Sequence, residues 1–205
     1  MNSIDRGGRA VTPSKILCVG RNYVRHIEEL GNEIPDQMVV FAKPNSAIGD
    51  RLCATREGET LHYEGEIALL VEGGRYSAAA FGLDLTRRGL QGELKAKGLS
   101  WERAKAFDGA ALFSAFAPLE GPVTDLSLRL TVDGEERQAG SVGLMMYKPA
   151  FILEELSRVF SLEDGDIIMT GTPAGVGPIE AGATFEGTVF AGDAPLASGR
   201  WTAEP

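Results

Sequence analysis

His62-Tyr63-Glu64-Gly65-Glu66-Ile67-Ala68-Leu69-Leu70-Val71 is the stretch on which the fold turns. From Ile67 to Val71 every side chain is apolar, which reads as a strand, Leu61 to Val71, running into the core. Around it, Ile16 to Val19, Met38 to Ala42, Leu126 to Val132, Asp166 to Met169 and Thr184 to Phe190 read as further strands, most of them bounded by Gly, Pro or Asp. Leu126, Leu128, Leu130 and Val132 alternate with Ser127, Arg129 and Thr131, the period of a strand with one buried and one wet face. Helices are expected over Asn22 to Leu30, Arg87 to Lys97 and Ala150 to Phe160, the last opened by Pro149. Strands cluster without regular alternation with helices, so the class is α+β and β-rich, with a mostly antiparallel or mixed sheet.

The 205 residues suit a single domain, with residues 1–14 as a loose lead. Twenty-six Gly and ten Pro agree with many tight turns between short strands. Twenty Lys and Arg against 29 Asp and Glu give a formal net charge of −9, which opposes binding to nucleic acid or to an anionic membrane. Met1 to Lys15 has no apolar run of a secretory signal, and no stretch approaches the length of a membrane span, so a soluble cytoplasmic protein is expected. Cys18 and Cys53 lie far apart in sequence and belong to no metal-binding pair.

Within the opening stretch, Glu64 and Glu66 are two residues apart, so on a strand their carboxylates share one face. At the mouth of a core such a pair suits a hard metal ion; on an exposed edge strand it needs none. Asp84, in Phe81-Gly82-Leu83-Asp84-Leu85, is either a third oxygen ligand or a cap of the helix that follows. Three carboxylates without clustered His or Cys favour Mg²⁺ or Mn²⁺ over zinc or copper. His26 and Glu29 stand at i and i+3 on a helix, the geometry of a base and its orienting carboxylate, or of a solvated face. Lys43 and Lys105 sit beside apolar residues, to meet a substrate carboxylate or to snorkel. Gly171-Thr172-Pro173-Ala174-Gly175-Val176-Gly177 lacks the Lys-Ser/Thr of a phosphate loop and reads as a rigid turn in which Thr172 faces a ligand. His62 reads as structural.

Together these residues resemble the fumarylacetoacetate hydrolase family, in its short acylpyruvase and oxaloacetate decarboxylase types. The matching pieces are Gly20-Arg21-Asn22-Tyr23 with His26 and Glu29, Phe41-Ala42-Lys43-Pro44, His62-Tyr63-Glu64-Gly65-Glu66, Leu83 to Arg88, Gln91, Trp101 to Gly109, and Asp166 to Gly177. The resemblance implies a mixed β-roll or sandwich with peripheral helices. It implies Mg²⁺ or Mn²⁺ on Glu64, Glu66 and Asp84, a His26 and Glu29 pair activating water, and Lys105 facing the developing oxyanion. It also implies Arg21, Gln91 and Thr172 as contacts to a small 2-oxo acid or dicarboxylic substrate, and a homodimer. The expected reaction is hydrolytic cleavage of a carbon–carbon bond in 2,4-dioxo acids such as acylpyruvates. The same enolate chemistry serves decarboxylation of oxaloacetate, and keto–enol or double-bond isomerisation of a hydroxymuconate-like diacid. A metal-binding domain that holds diacids without turnover is the rival from another class.

Two departures from the family pattern stand out. Gly89 follows Arg88 where relatives commonly carry Asp, removing a supporting carboxylate. Glu72 to Ala80 is short where many relatives insert a helix, which puts the shape of the pocket in question. The resemblance implies the catalytic domain almost alone, without the extra N-terminal domain of the larger members.

Overall fold

The computed structural model describes every residue except Asn32. The chain opens with β1 (Ile4–Arg6), β2 (Arg9–Val11), β3 (Lys15–Gly20), α1 (Val24–Glu29) and β4 (Val39–Pro44). Next come β5 (Thr55–Arg56), β6 (Glu59–Tyr63), β7 (Gly65–Glu72), β8 (Arg75–Asp84) and β9 (Thr86–Arg87). Helices α2 (Arg88–Ala96) and α3 (Glu102–Lys105) precede β10 (Ala111–Phe113), β11 (Ala117–Pro118), β12 (Leu126–Val132) and β13 (Glu135–Ser141). The chain finishes with α4 (Pro149–Val159), β14 (Ile167–Met169), β15 (Gly177–Pro178), β16 (Thr184–Ala191) and β17 (Ala194–Thr202).

The large sheet runs β10-β8-β7-β14-β3-β4, with β11 also on β8; β14 and β3 are parallel and their neighbours antiparallel. A second sheet, β13-β12-β16-β17, packs on one of its faces, and a small sheet of β15, β6 and β5, with β9, stands beside them. The expected β-rich, mixed-sheet α+β class is the observed one. Both edges of β7 are paired, by β8 and β14, and both its faces are covered by core residues, which explains its unbroken apolar run. Ile67 and Leu69 join Phe81, Leu128, Leu130, Phe185 and Val189 between the two large sheets. Ala68 and Leu70 point the other way, toward Ile4, Ile16 and Phe116. Helix α4 covers Leu17, Val19 and Ile168 with Ile152 and Leu156. Where Phe81 reaches β16 it lies over Gly187, at which a Cβ would fall 2.2 Å from the ring, so only glycine lets the sheets approach this closely.

Three expectations change. The strand expected over Leu61 to Val71 is two strands, divided at Glu64, β6 in the small sheet and β7 in the large one. The break falls before Gly65, where a Cβ would come within 2.9 Å of the Phe81 ring and 3.0 Å of Gln138 Oε1. Residues 1–14 are not a loose lead: β1 and β2 form a hairpin through Gly7 and Gly8, both at positive φ as a type I′ turn requires, and Ile4 is buried. The short segment after Glu72 is the turn of the β7–β8 hairpin, with β8 running on unbroken to Asp84. Ten strand residues put that turn ~30 Å from Asp84, too far to reshape a pocket there.

The β2–β3 junction is pinned by Asp166, whose side chain is 1% exposed. It accepts hydrogen bonds from the N–H groups of Ser14, Lys15 and Glu163 and from the Ser14 hydroxyl, and it pairs with Lys15. Burial alone would raise its pKa, but the Glu163 N–H, Lys15 and Ser14 overcome burial and hold it below the ordinary carboxylate range. Asp166→Asn is therefore expected to cost about 3 kcal/mol at neutral pH. Since the folded pKa lies below the unfolded one of about 3.9, that contribution is complete above the unfolded value and fades as pH falls through the folded one. Urea midpoints of the two proteins should differ most between about pH 5 and 7 and converge in stronger acid; a gap that is constant with pH contradicts the assignment.

Candidate active site

Because β3 and β14 are parallel, the loops that follow them leave the large sheet at one end. β7 starts and β8 finishes at that same end, because β7 runs antiparallel to both β14 and β8. Crevices in such sheets open beyond the carboxyl ends of neighbouring strands. The topology therefore gathers residues 21–26, 64–66, 84–91 and 172 from segments far apart in sequence.

One hairpin delivers all three acidic groups. The Asp84 N–H donates to the Glu64 carbonyl at 2.8 Å, and Glu66 lies opposite Gly82 in the next positions of the ladder. Glu64, Glu66 and Asp84 are all buried, and one carboxylate oxygen from each lies within 4.8 Å of the others. Lys105 Nζ donates to Glu64 Oε2 at 2.8 Å, Asp84 Oδ2 at 2.8 Å and Thr86 Oγ1 at 2.7 Å. Lys43, fully buried, donates to the carbonyls of Lys105 and Ala110 and sits 2.8 Å from Asp84 Oδ1 without the alignment of a hydrogen bond. Arg88 pairs with Glu64 Oε1 and donates to Gln91 Oε1 at 2.8 Å.

Glu66 is treated differently. Among the described residues it has no ion pair, and the Gly171 N–H donates to its Oε2 at 2.8 Å. Burial first, then Asp84 and Glu64, push its pKa well above the ordinary range. Glu64 shows the reverse: burial opposes ionisation, but Lys105, Arg88 and His26 outweigh it and hold the pKa well below the ordinary range. Burial opposes the charge on Lys105 as well, and Asp84 and Glu64 outweigh it, raising that pKa. A buried carboxylate without a cation, beside two others, is a donor set made for a hard divalent ion. Three oxygen donors in this arrangement fit Mg²⁺ or Mn²⁺.

His26, on α1, is buried, with Nδ1 3.2 Å from Glu29 Oε2; the Gly175 N–H donates to Glu29 Oε1 at 2.9 Å. Burial lowers the His26 pKa against the pull of Glu64 and Glu29, so the imidazole is neutral near pH 7. The expected rigid turn after β14 is held from three sides. Gly171, at φ 99°, has no room for a Cβ, which would lie 2.8 Å from Asn22 Cβ. Asn22 donates to the carbonyls of Thr170 and Tyr147 and accepts from the Tyr147 N–H. Gln138, reaching over from the second sheet, accepts from the Gly65 N–H and donates to Thr172 Oγ1 and the Pro173 carbonyl.

A cleft opens above the acidic groups. Every residue expected at the site except Glu29, which stands behind His26, lines it: Arg21, His26, Glu64, Glu66, Asp84, Gln91, Lys105 and Thr172. The hydroxyl of Thr172 is spent on the Gly65 carbonyl, at 2.9 Å, and on Gln138. Arg21 takes a positive φ of 55°, a strained backbone for a large side chain and common where function fixes geometry. Arg88, Lys95 and Trp101 also line the cleft, and sequence reasoning gave none of them a role. Gln138 was missed too, since a lone glutamine in the polar run Glu135–Ser141 carries no signal.

The carboxylate absent at Gly89 is supplied from β6. Glu59 accepts from the Leu90 N–H at 3.0 Å and from Arg87 Nε at 3.0 Å, standing at the start of α2, whose first turn has no acidic residue of its own. A Cβ at position 89 would lie 3.0 Å from Glu59 Oε1.

The fumarylacetoacetate hydrolase C-terminal model matches residues 15–197. The chain belongs to the fumarylacetoacetate hydrolase family. Among its relatives, an oxaloacetate tautomerase of Escherichia coli K12 is 38% identical over 195 residues, covering 85% of this chain and 89% of that one. A mitochondrial oxaloacetate tautomerase of Arabidopsis thaliana is 39% identical over 189 residues, covering 82% and 83%. The crystal structure of fumarylpyruvate hydrolase from Pseudomonas aeruginosa in complex with Mn²⁺ and pyruvate superposes with a TM-score of 0.89 at 29% identity, covering 99% of this chain and 95% of that one. The family's members thus include tautomerases and hydrolases acting on small acids. No helix among the described residues is long and apolar enough to cross a membrane.

Gly89→Asp is expected to destabilise this chain by about 1–3 kcal/mol, because Glu59 already occupies the space. In a Glu59→Ala background the same change should cost little, giving a coupling of about 1–3 kcal/mol in a double-mutant cycle read by urea unfolding. Additive effects would show that Glu59 and position 89 do not share one place.

Proposed function

We propose that the chain is a divalent-metal-dependent enzyme that interconverts the keto and enol forms of oxaloacetate or a closely related 2-oxo diacid. The observation that carries this reading is the buried His26, backed from outside the cleft by Glu29, standing in one cleft with the three carboxylates. Tautomerisation needs a base that exchanges a proton at the carbon beside the 2-oxo group and an electrostatic partner for the oxygen; it needs no attacking water. The extended likeness to oxaloacetate tautomerases supports it.

Mg²⁺ or Mn²⁺ held by Glu64, Glu66 and Asp84 would supply Lewis acidity toward the 2-oxo acid head. His26, neutral and with Nδ1 turned to Glu29, uses Nε2 to take the proton from C3 and to return it. Glu29 fixes the tautomer and steadies the imidazolium, and the Gly175 N–H fixes Glu29. The Lys105 ammonium, held by Glu64, Asp84 and Thr86, faces the negative charge as it grows on oxygen. Arg21 and Gln91 orient the acid from the wall of the cleft, and Thr172, its hydroxyl held by Gly65 and Gln138, shapes that wall.

Hydrolysis of an acylpyruvate is the second reading, favoured by the likeness to fumarylpyruvate hydrolase; there the same His26 nitrogen activates water. Pairing of chains into a homodimer belongs to the proposal as well, since Leu144, Phe151 and Val159 leave apolar side chains exposed.

In a stopped-flow assay of oxaloacetate enol decay with the Mn²⁺-loaded protein, His26→Ala should lower kcat by about 10²–10⁴ with little change in KM. The acid limb of wild-type kcat/KM should fall below the ordinary imidazole pKa of about 6.5, because burial lowers that of His26. Decay no faster than in buffer, with rapid pyruvate release from acetylpyruvate, would replace tautomerase by hydrolase.

A further inference from the structure

Arg88, Gln91 and Lys95 stand at i, i+3 and i+7 along α2, and all three line the cleft. The first two are engaged, Arg88 with Glu64 and with Gln91. Lys95 has neither an ion pair nor a hydrogen bond among the described residues. Its ammonium stands 4.7 Å from the centre of the Trp101 ring, and Trp101 packs against Phe41 with centroids 6.3 Å apart. These two aromatic rings form an apolar wall behind a half-buried cation.

The charges around Lys95 are mostly of its own sign. Burial first, and then Arg21 and Arg88, lower its pKa, with Glu64 pulling the other way. A cation partly stripped of water and facing two others is stabilised by an anion entering the cleft. Within this one cleft Glu64, Glu66 and Asp84 repel a bare carboxylate, whereas Arg21, Arg88 and Lys95 attract one.

We infer that Lys95 determines substrate specificity: it receives the second carboxylate of a 2-oxo diacid and so selects diacids over monoacids that share the same head. This rests on the reading of the cleft as a metal-assisted 2-oxo diacid site and adds the residue that recognises the second carboxylate. Trp101 holds the ammonium in place through the face of its ring, and the apolar wall keeps water from competing, which strengthens a charge-assisted hydrogen bond to the ligand.

The test is binding, so it does not require turnover. Calorimetry of the Mn²⁺-loaded full chain compares 2-oxoglutarate with 2-oxopentanoate, the same carbon chain with a methyl group in place of the distal carboxylate. Wild type should bind the diacid at least about 10-fold tighter, a ratio in keeping with one charge-assisted hydrogen bond. Lys95→Met, which keeps the apolar stem against Trp101, should abolish the preference by weakening the diacid alone, and Lys95→Arg should retain it. No preference in wild type, a preference that survives Lys95→Met, or equal weakening of both acids would overturn the inference. A wild type that shows the preference and its loss on substitution, yet leaves the oxaloacetate enol untouched, would overturn the proposed reaction and leave the role of Lys95 standing.

Discussion

Three carboxylates held together inside a protein repel one another, and the rest of this structure is arranged around that cost. Glu64, Glu66 and Asp84 come from one antiparallel hairpin whose register gives them no freedom to separate. At a separation near 4 Å the repulsion is several kcal/mol at an effective dielectric typical of protein sites, so cations are required close by. Lys105, Lys43 and Arg88 answer two of the three groups, and Glu66 has no ion pair among the described residues. The buried lysines are thereby explained without snorkelling: each has its charge matched by a carboxylate and its N–H groups matched by oxygens.

Holding such a site rigid falls to polar side chains that never enter the cleft. Asn22 joins the end of β3 to the loop after β14, and Gln138 joins the second sheet to the start of β7 and the same loop. Glu59 anchors the first turn of α2, from which Arg88, Gln91 and Lys95 face the acid. Fixed donors of this kind reduce the reorganisation that accompanies a change of charge in the cleft.

The class of fold was legible because β7 and β12 write their surroundings in plain periodicity: one is covered on both faces and apolar throughout, the other alternates. The long strand β8 was not legible, since Ser77-Ala78-Ala79-Ala80 has little intrinsic preference for extended backbone and takes it through pairing with β7. The hairpin β1–β2 was hidden for a related reason, being short, polar and held by Ile4 and by Asn2 against Asn45. At the site, spacing alone placed Glu64 beside Glu66 and His26 beside Glu29, as local geometry permits. It left Asp84, Lys105 and Lys43 undecided between ligand, cap and surface; the resemblance to known motifs gave Asp84 and Lys105 their roles, and Lys43 stayed open until the fold placed it beside Asp84. Gln138 and Lys95 were out of reach, because what they touch is set by sheet packing and by the turn of α2 over the cleft.

In the proposed enzyme Glu64, Glu66 and Asp84 form one metal site, completed by an ion at Glu66. Calorimetric titration of Mn²⁺ into the metal-stripped protein, beside a Glu66→Gln variant of unchanged fold by circular dichroism, tests it most directly. The account predicts a single saturable site per chain in wild type and at least about 10-fold weaker binding in the variant, the loss expected when a ligand is disturbed. Absence of binding in wild type, or equal affinity in both proteins, would contradict it.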